Sequence, residues 1–267
     1  MQTFVINLLR APDRLNDMQE RLAAHGLSHK VLVATDALTL TEQQRQIDHD
    51  RCRRFSHYPL TDGEIACRIS HHRVLELIAN GHDRMATVFE DDAALLPNFV
   101  PTLNAIKALN SPFDFIFLHR ALGRKWSFVS CYPLTPDNAL GRVRYQNTGT
   151  VAYVASREGA RKFLAQYTGA VGLPIDTEMH RYWASRLDIY GLQYPVVEHA
   201  DGGHSCIDES GGQNRPRNSL PYPDHSALRI KAMRALTGKR NSVVKRISFW
   251  PYVWKGRKNF QTELNRG

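Results

Sequence analysis

MATVFEDD, residues 85–92, joins a short apolar run to three adjacent carboxylates, Glu90, Asp91 and Asp92. The run is typical of a buried strand, so the acidic triplet is predicted to lie at that strand's C-terminal end. Ligands of open α/β sheets bind at this edge. Adjacent like charges are unfavourable unless a cation or hydrogen-bond donors face them, and carboxylate oxygens suit a hard divalent cation. The stretch therefore predicts a metal site, with a solvated turn at a strand end as the alternative.

Strands and helices alternate around this stretch. Further strands are expected over residues 3–8, 30–35, 113–118, 150–155 and 190–197. Helices are expected over residues 13–25 and 61–81, after Pro97, from Ser156, and over residues 174–186. Residues 127–141 are typical of a hairpin, whereas residues 201–223 are too polar for a core and are interpreted as an active-site loop or linker. The alternation implies an α/β fold with a largely parallel sheet.

Composition places the chain among ordinary globular proteins. It has 267 residues, of which 42% are apolar and 23% charged, enough for one large domain with an extension. Neither a run of about 18 uncharged apolar residues nor a basic segment leading into an apolar one occurs, so no membrane span or export signal is expected. The cysteines, Cys52, Cys67, Cys131 and Cys206, form no CxxC pair. This argues against zinc and disulfides, and predicts a reduced, cytoplasmic protein.

Positive charge is concentrated at the C-terminal end. Residues 226–267 contain eleven Lys or Arg and one acidic residue, Glu263, which leaves 24 basic and 25 acidic side chains for residues 1–225. We therefore divide the chain into a domain over 1–225 and a basic extension over 226–267. Apolar residues of the extension, including Trp250 and Trp254, recur at helical spacing between the basic ones.

This pattern indicates an amphipathic helix on an anionic membrane surface. The alternative is that the aromatic residues pack on the domain while the lysines stay solvated. Nucleic-acid binding is the weaker option, because no helix-turn-helix, zinc finger or stacking module accompanies the charge.

The usual nucleotide motifs are absent from the sequence. There is no GxxxxGK[ST], and no GxGxxG follows the first predicted strand. A phosphate would have to be bound by a divalent cation on the triplet. Asn7, Arg10 and Arg14 follow the first strand and could assist, because guanidinium groups pair with phosphate and Asn can recognise a base or ribose.

Several segments together resemble glycosyltransferase family 25, the bacterial lipooligosaccharide galactosyltransferases and their collagen-modifying relatives. They are VINLLRAPDR (5–14), TDGEIACRISH (61–71), TVFEDDAAL (87–95), NTGTVAYVASREGARKFL (147–164) and LPID (173–176). The resemblance implies a GT-A fold, that is, a Rossmann-like nucleotide-diphospho-sugar transferase fold with a mixed, mainly parallel sheet. It further implies UDP-galactose as donor, Mn2+ or Mg2+ as cofactor, and inversion to a β-linkage. The implied product is a β-1,4-galactosyl lipooligosaccharide or LPS, made on a lipid-linked acceptor at the inner face of a Gram-negative cytoplasmic membrane.

The implied chemistry assigns roles to particular residues. A metal bridging the two phosphates would stabilise the departing UDP, with Asp92 as first ligand and Glu90 or Asp91 completing the shell or binding the ribose. The segment 61–71 is expected to contribute Gly63, Ser70 and His71 to donor binding.

Inversion also needs a carboxylate that accepts the acceptor's proton. Asp176 is the first candidate, unless it is an N-cap, and Glu64 and Glu178 are the alternatives. Glu64 could instead be a capping partner. His199 or His204 could add a metal ligand.

Two other classes of function remain open. One is a metal-dependent phosphoesterase or nucleotidyltransferase that uses the acidic triplet. The other is a noncatalytic protein that binds membranes or nucleic acids through the basic extension.

Overall fold

The structure is a computed structural model that describes residues 1–55, 60–120, 128–143 and 149–200. The predicted loop over 201–223, His204 and the basic extension over 226–267 lie outside the described residues. Within the described part of the chain, no helix combines the length and the apolar character that crossing a bilayer requires.

A central eight-stranded sheet organises the domain in the order β2-β1-β3-β8-β5-β9-β7-β6. Its strands are β1 (Gln2–Asn7), β2 (Lys30–Val33), β3 (Met85–Glu90), β5 (Phe115–Phe117), β6 (Phe128–Thr135), β7 (Asn138–Val143), β8 (Ala152–Ser156) and β9 (Ile189–Leu192). A separate antiparallel pair consists of β4 (Ala93–Leu95) and β10 (Val197–His199). Six strands of the large sheet point the same way, and only β7 and β8 run opposite. The predicted α/β class and mainly parallel sheet are confirmed.

Seven α-helices connect these strands within the described residues. They are α1 (Pro12–Ala24), α2 (His49–Phe55), α3 (Asp62–Asn80), α4 (Phe99–Ala108), α5 (Arg157–Gln166), α6 (Ile175–His180) and α7 (Tyr182–Ser185). The start of α3 follows from its sequence, because Thr61 and Glu64 form a reciprocal capping box. Ser156 likewise accepts a hydrogen bond from the Gly159 amide at the start of α5.

Two predicted elements are wrong in their extent. The single helix expected over 174–186 is divided into α6 and α7, because Arg181 adopts φ −87° and ψ 60°, outside the helical region. The single strand expected over 190–197 is divided into β9 and β10. Pro195 lies between these strands, where its missing amide hydrogen cannot contribute to a β-ladder.

Two apolar layers cover the opposite faces of the large sheet. Phe4 and Ile6 of β1 belong to the layer that includes α3 and α5, whereas Val5 belongs to the layer that includes α1 and α4. Successive strand residues point to opposite faces, so this alternation means that both faces of β1 are buried. Burial on both faces explains why β1 and β3 read as continuous apolar runs.

The strand order reverses direction at β1. The chain passes from β1 to β2 on one side and later returns to β3 on the other side, and both pairings are parallel. Ile6 pairs with Glu90 in this register, so the C-terminal ends of β1 and β3 are neighbours. Such a reversal leaves a crevice at the C-terminal ends of the strands, the usual ligand site of open α/β sheets.

Candidate active site

An open cleft lies at this crevice. Eight of the residues selected from the sequence line it: Arg10, Arg14, Gly63, Ser70, His71, Glu90, Asp91 and Asp92. The structure therefore brings together residues that are up to 82 positions apart in the sequence, and their role in donor binding stays a prediction.

Asp91 and Asp92 both form ion pairs with Arg14, a residue of α1. The Arg14 Nη2 atom lies 2.7 Å from Asp91 Oδ1 and 3.0 Å from Asp92 Oδ2. Asn7 donates its side-chain amide to Asp91 Oδ2 over 2.7 Å. Burial raises the pKa of Asp91 to about 6, although Arg14 and the Asn7 hydrogen bond act in the opposite direction. Arg14 and Asn7 thus contact the triplet's carboxylates, whereas the sequence suggested that they would contact the donor directly.

Glu90 belongs to a different set of hydrogen bonds. Its Oε1 accepts from the Thr150 hydroxyl at 2.6 Å and lies 3.2 Å from His71 Nε2. The other ring nitrogen of His71 is 3.0 Å from the Tyr153 hydroxyl. Burial alone would raise the pKa of Glu90, but these interactions with His71 and Thr150 outweigh it and lower the pKa to about 2. Glu90 is therefore an ionised carboxylate at the floor of the cleft.

Asp92 has the features expected of a metal ligand. Its Oδ1 atom is buried without a hydrogen-bond partner, and its Oδ2 atom lies 3.4 Å from His199 Nδ1. His119 packs edge-on against His199, with ring centroids 4.8 Å apart, and its Nε2 atom is also buried without a partner. A buried polar atom without a partner is costly. Carboxylate oxygens match the ligands that Mn2+ and Mg2+ prefer, so the unpartnered oxygen of Asp92 fits the cation that the resemblance implies.

The position of His199 depends on the small β4/β10 pair. His199 pairs with Ala93 in the antiparallel register, which brings it beside the acidic triplet. The Ala200 amide donates to the Asp92 carbonyl over 2.7 Å and fixes this approach. Interaction with Asp92 raises the pKa of His199. Of the two histidines suggested as metal ligands, His199 therefore lies beside Asp92, and His204 lies beyond the described residues.

Other predicted donor-site residues contribute to the cleft wall. The hydroxyl of Ser70 donates to the Ala66 carbonyl and accepts from the Thr35 amide, which joins α3 to the end of β2. Arg10 is paired with Asp36 at 2.9 Å. Gly63 lies buried in the first turn of α3.

Asp176 lies close enough to Glu90 for the charge of that cleft residue to act on it. It is the second residue of α6, so the N-cap interpretation is wrong; Pro174 occupies the N-cap position. Its Oδ2 accepts from the Gly149 amide at 3.0 Å, where Gly149 adopts φ +99°. Burial raises the pKa of Asp176, with the negative charge of Glu90 acting in the same direction. A carboxylate with a raised pKa is a stronger base.

The alternative bases have structural roles. Glu64 accepts from the Thr61 amide over 2.8 Å as part of the capping box. Glu178 is fully buried and paired with Arg68 at 3.0 Å and with Arg51 at 3.3 Å. These contacts favour Asp176 over both.

Sequence reasoning missed three residues of the site: Cys67, which lines the cleft, Thr150, which hydrogen-bonds Glu90, and His119, which packs against His199. His119 lies two residues after the end of β5, so its position after an apolar strand was an available signal. Thr150 was assigned to a strand, and Cys67 was considered only as a possible disulfide or CxxC partner. Its actual signal is the spacing to His71, four residues later on the same helix.

Comparison with known proteins places this geometry in a family. "Probable inactive glycosyltransferase 25 family member 3" of Bos taurus is 31% identical over 184 residues, covering 66% of this chain and 30% of that protein. "Procollagen galactosyltransferase 2" of Homo sapiens is 27% identical over 210 residues, covering 75% of this chain and 32% of that protein. The chain thus spans about a third of the length of these relatives.

Among solved structures, "Crystal Structure of A197 from STIV" aligns with 74% of this chain and 84% of that chain, at a TM-score of 0.39 and 12% identity. That likeness is too weak to transfer any property. The model for "Glycosyltransferase family 25 (LPS biosynthesis protein)" matches residues 1–179, a range that includes all the residues that line the cleft. The chain belongs to glycosyltransferase family 25.

Proposed function

We propose that the protein is an inverting, metal-dependent galactosyltransferase that moves galactose from UDP-galactose to a sugar of a lipooligosaccharide or LPS acceptor, forming a β-1,4 linkage. The observation that carries the proposal is the partnerless, buried Oδ1 atom of Asp92 inside the cleft at the β1/β3 crevice. A nucleotide diphosphate carries the charge that a cation at this carboxylate would neutralise.

Asp92 and Glu90 would hold the cation, with Mn2+ as first choice and Mg2+ as the alternative. When bound, such an ion supplies Lewis-acid stabilisation of the negative charge that develops on the departing UDP. Arg14 holds Asp91 and Asp92 side by side, and Thr150 and His71 orient Glu90, so the carboxylates are fixed before any ligand binds. Preorganised groups of this kind lose little free energy through reorganisation during the reaction.

Asp176 would act as the base on the acceptor side. Its carboxylate would take the proton of the attacking hydroxyl while the new glycosidic bond forms. The Gly149 and Thr177 amides donate to its two oxygens at 3.0 and 2.5 Å and so fix its orientation. Its raised pKa matches it better to proton acceptance near neutral pH than an ordinary exposed aspartate.

Galactose is supported by the relatives named as procollagen galactosyltransferases of Homo sapiens and Danio rerio. Other relatives are named as inactive, so turnover must be measured on this chain itself. The basic extension supports binding to an anionic membrane that carries the lipid-linked acceptor, at the cytoplasmic face of the inner membrane.

A screen of UDP-sugars with Mn2+, reading UDP release, tests the proposal. We expect release from UDP-galactose in the wild type, and a loss of at least about 100-fold in Asp92→Ala. Asp83→Ala, which removes an acidic residue at the opposite end of β3, is the matched control. Full activity in metal-free buffer would contradict metal dependence. Release of inorganic phosphate without sugar transfer would favour phosphoesterase chemistry instead.

A further inference from the structure

A second group of possible metal ligands lies in the same cleft. The Sγ atom of Cys67, a ring nitrogen of His71 and a carboxylate oxygen of Glu90 all lie within 4.8 Å of one another. Unlike the Asp92 environment, this group contains sulfur. Cysteine and histidine are ligands that Zn2+ and other thiophilic cations prefer, whereas Mn2+ and Mg2+ prefer oxygen.

The backbone fixes two of these ligands relative to each other. Cys67 and His71 are four residues apart on α3, so both side chains point from one face of the helix, and both line the cleft. Glu90 approaches from the end of β3, with its Oε1 atom 3.2 Å from His71 Nε2. Ligand atoms around a tetrahedral Zn2+ are about 3.3 to 3.5 Å apart, so the His71–Glu90 separation is close to this spacing.

Tyr153 provides the support that a metal-binding histidine requires. Ligating histidines commonly donate their second ring N–H to a fixed acceptor, which orients the ring. The Tyr153 hydroxyl lies 3.0 Å from His71 Nδ1 and can accept this hydrogen bond. Binding through Nε2 would then require that this nitrogen carry no hydrogen while Nδ1–H donates to the Tyr153 hydroxyl.

The charge around Cys67 also favours a cation. The carboxylates of Glu90 and Asp176 both act electrostatically on the Cys67 thiol, which gives this part of the cleft a negative potential. The same negative potential attracts a divalent ion, whose binding would release the thiol proton to solvent.

We propose that Cys67, His71 and Glu90 form a binding site for Zn2+ or a similar thiophilic divalent cation, with its remaining coordination position open to the cleft. Because Glu90 is shared with the Asp92 site, a thiophilic cation bound here excludes Glu90 from the catalytic cation's ligands. The site therefore inhibits sugar transfer when it is occupied, a consequence that rests on the proposed function.

Titration of the full chain with Co2+ tests the site without any assay of activity. A thiolate bound to Co2+ gives a near-ultraviolet charge-transfer absorption. We expect this band in the wild type and in Cys131→Ser, whose exposed thiol lies on β6, and we expect its loss in Cys67→Ser. His71→Gln should weaken Zn2+ binding, measured by calorimetry, by at least about 10-fold. Cooperative thermal unfolding of each variant verifies that it is folded.

Absence of the band in the wild type, or an equal band in Cys67→Ser, would overturn the proposed site. The inhibition is tested separately by adding Zn2+ to the Mn2+-supported release of UDP, with each variant compared with its own zinc-free rate. We expect strong inhibition of the wild type and at least about 10-fold weaker inhibition of Cys67→Ser. If no chain releases UDP, the proposed function fails, whereas the Co2+ band still decides whether the site exists.

Discussion

The side-chain amide of Asn7 donates to Asp91 Oδ2 over 2.7 Å and to the Ala11 carbonyl over 3.0 Å. One buried side chain thereby joins the end of β1, the turn that leads into α1, and the acidic triplet after β3. Because α1 also carries Arg14 to the triplet, the geometry of the cleft depends on this junction.

Replacement of Asn7 by Ala should destabilise the protein by about 1 to 3 kcal/mol, because it leaves a buried carboxylate and a backbone carbonyl short of donors. Urea unfolding measures this loss. Asn104→Ala, at an exposed position of α4, is the matched control and should show no comparable loss. Equal stability of the two variants would mean that the Asn7 hydrogen bonds contribute nothing net.

The sequence was sufficient to predict this edge of the sheet, because its signals are local. An apolar run followed by acids predicts a strand end, and Asn7 and Arg14 follow the first strand directly. The neighbouring placement of β1 and β3 then follows from the usual topology of α/β sheets. Asn7, Arg14 and the acidic triplet were therefore identified in advance, whereas Cys67 on α3 was missed.

Residues from later strands could not be placed in the same way. Thr150 precedes β8, which runs antiparallel to both β3 and β5. The N-terminal end of β8 therefore lies at the same edge of the sheet as the C-terminal ends of β3 and β5. That arrangement depends on strand order and direction, which no local periodicity encodes. His119 and His199 are brought together by a single bridge between His119 and Val197, between segments that are far apart in the sequence.

Asp176→Asn should lower the turnover of sugar transfer by about 100-fold to 10,000-fold, because the amide cannot accept the acceptor's proton. The KM for the donor should change little, since Asp176 is predicted to act on the acceptor. Glu64→Gln is the matched control, because glutamine can still complete the capping box. Steady-state kinetics on both variants distinguishes them, and a larger loss in Glu64→Gln would reverse the assignment of the base.

Glu178→Gln should cost about 3 kcal/mol of stability, because it leaves the buried Arg68 without its counter-charge. Glu76→Gln, on the exposed face of α3, should cost almost nothing. Chemical denaturation gives both values. A stable Glu178→Gln variant that lacks transferase activity would instead indicate a catalytic role for Glu178.

A chain ending at His225 should still release UDP from the donor but lose its affinity for anionic vesicles. The removed segment carries eleven basic residues and one acidic residue, and each basic residue near such a surface contributes about 1 kcal/mol. Cosedimentation with phosphatidylserine vesicles measures the difference, with neutral phosphatidylcholine vesicles as control. Equal binding with and without residues 226–267 would show that the membrane contact lies elsewhere.

Acid sensitivity should arise in part from His180, whose ring is buried and stacked on Phe117 with centroids 3.9 Å apart. Burial lowers its pKa from 6.5 to about 4, although a hydrogen bond to the Asp176 carbonyl opposes the shift. Between these two pH values the unfolded chain binds a proton that the folded chain does not. This contribution to stability is therefore complete above pH 6.5 and is lost as the pH falls towards 4.

Protonation of His180 should lower the free energy of unfolding by about 3 kcal/mol between pH 7 and pH 4. His180→Asn keeps a donor near the position of Nδ1 and removes the titration, so its unfolding free energy should fall by about 3 kcal/mol less than that of the wild type over this range. Denaturation at a series of pH values measures the two slopes, with the exposed His82→Gln as control. The test compares how steeply the unfolding free energy changes with pH, so a general loss of stability in His180→Asn does not affect it. Equal pH dependence in the variant and the wild type would exclude His180 as a source of acid sensitivity.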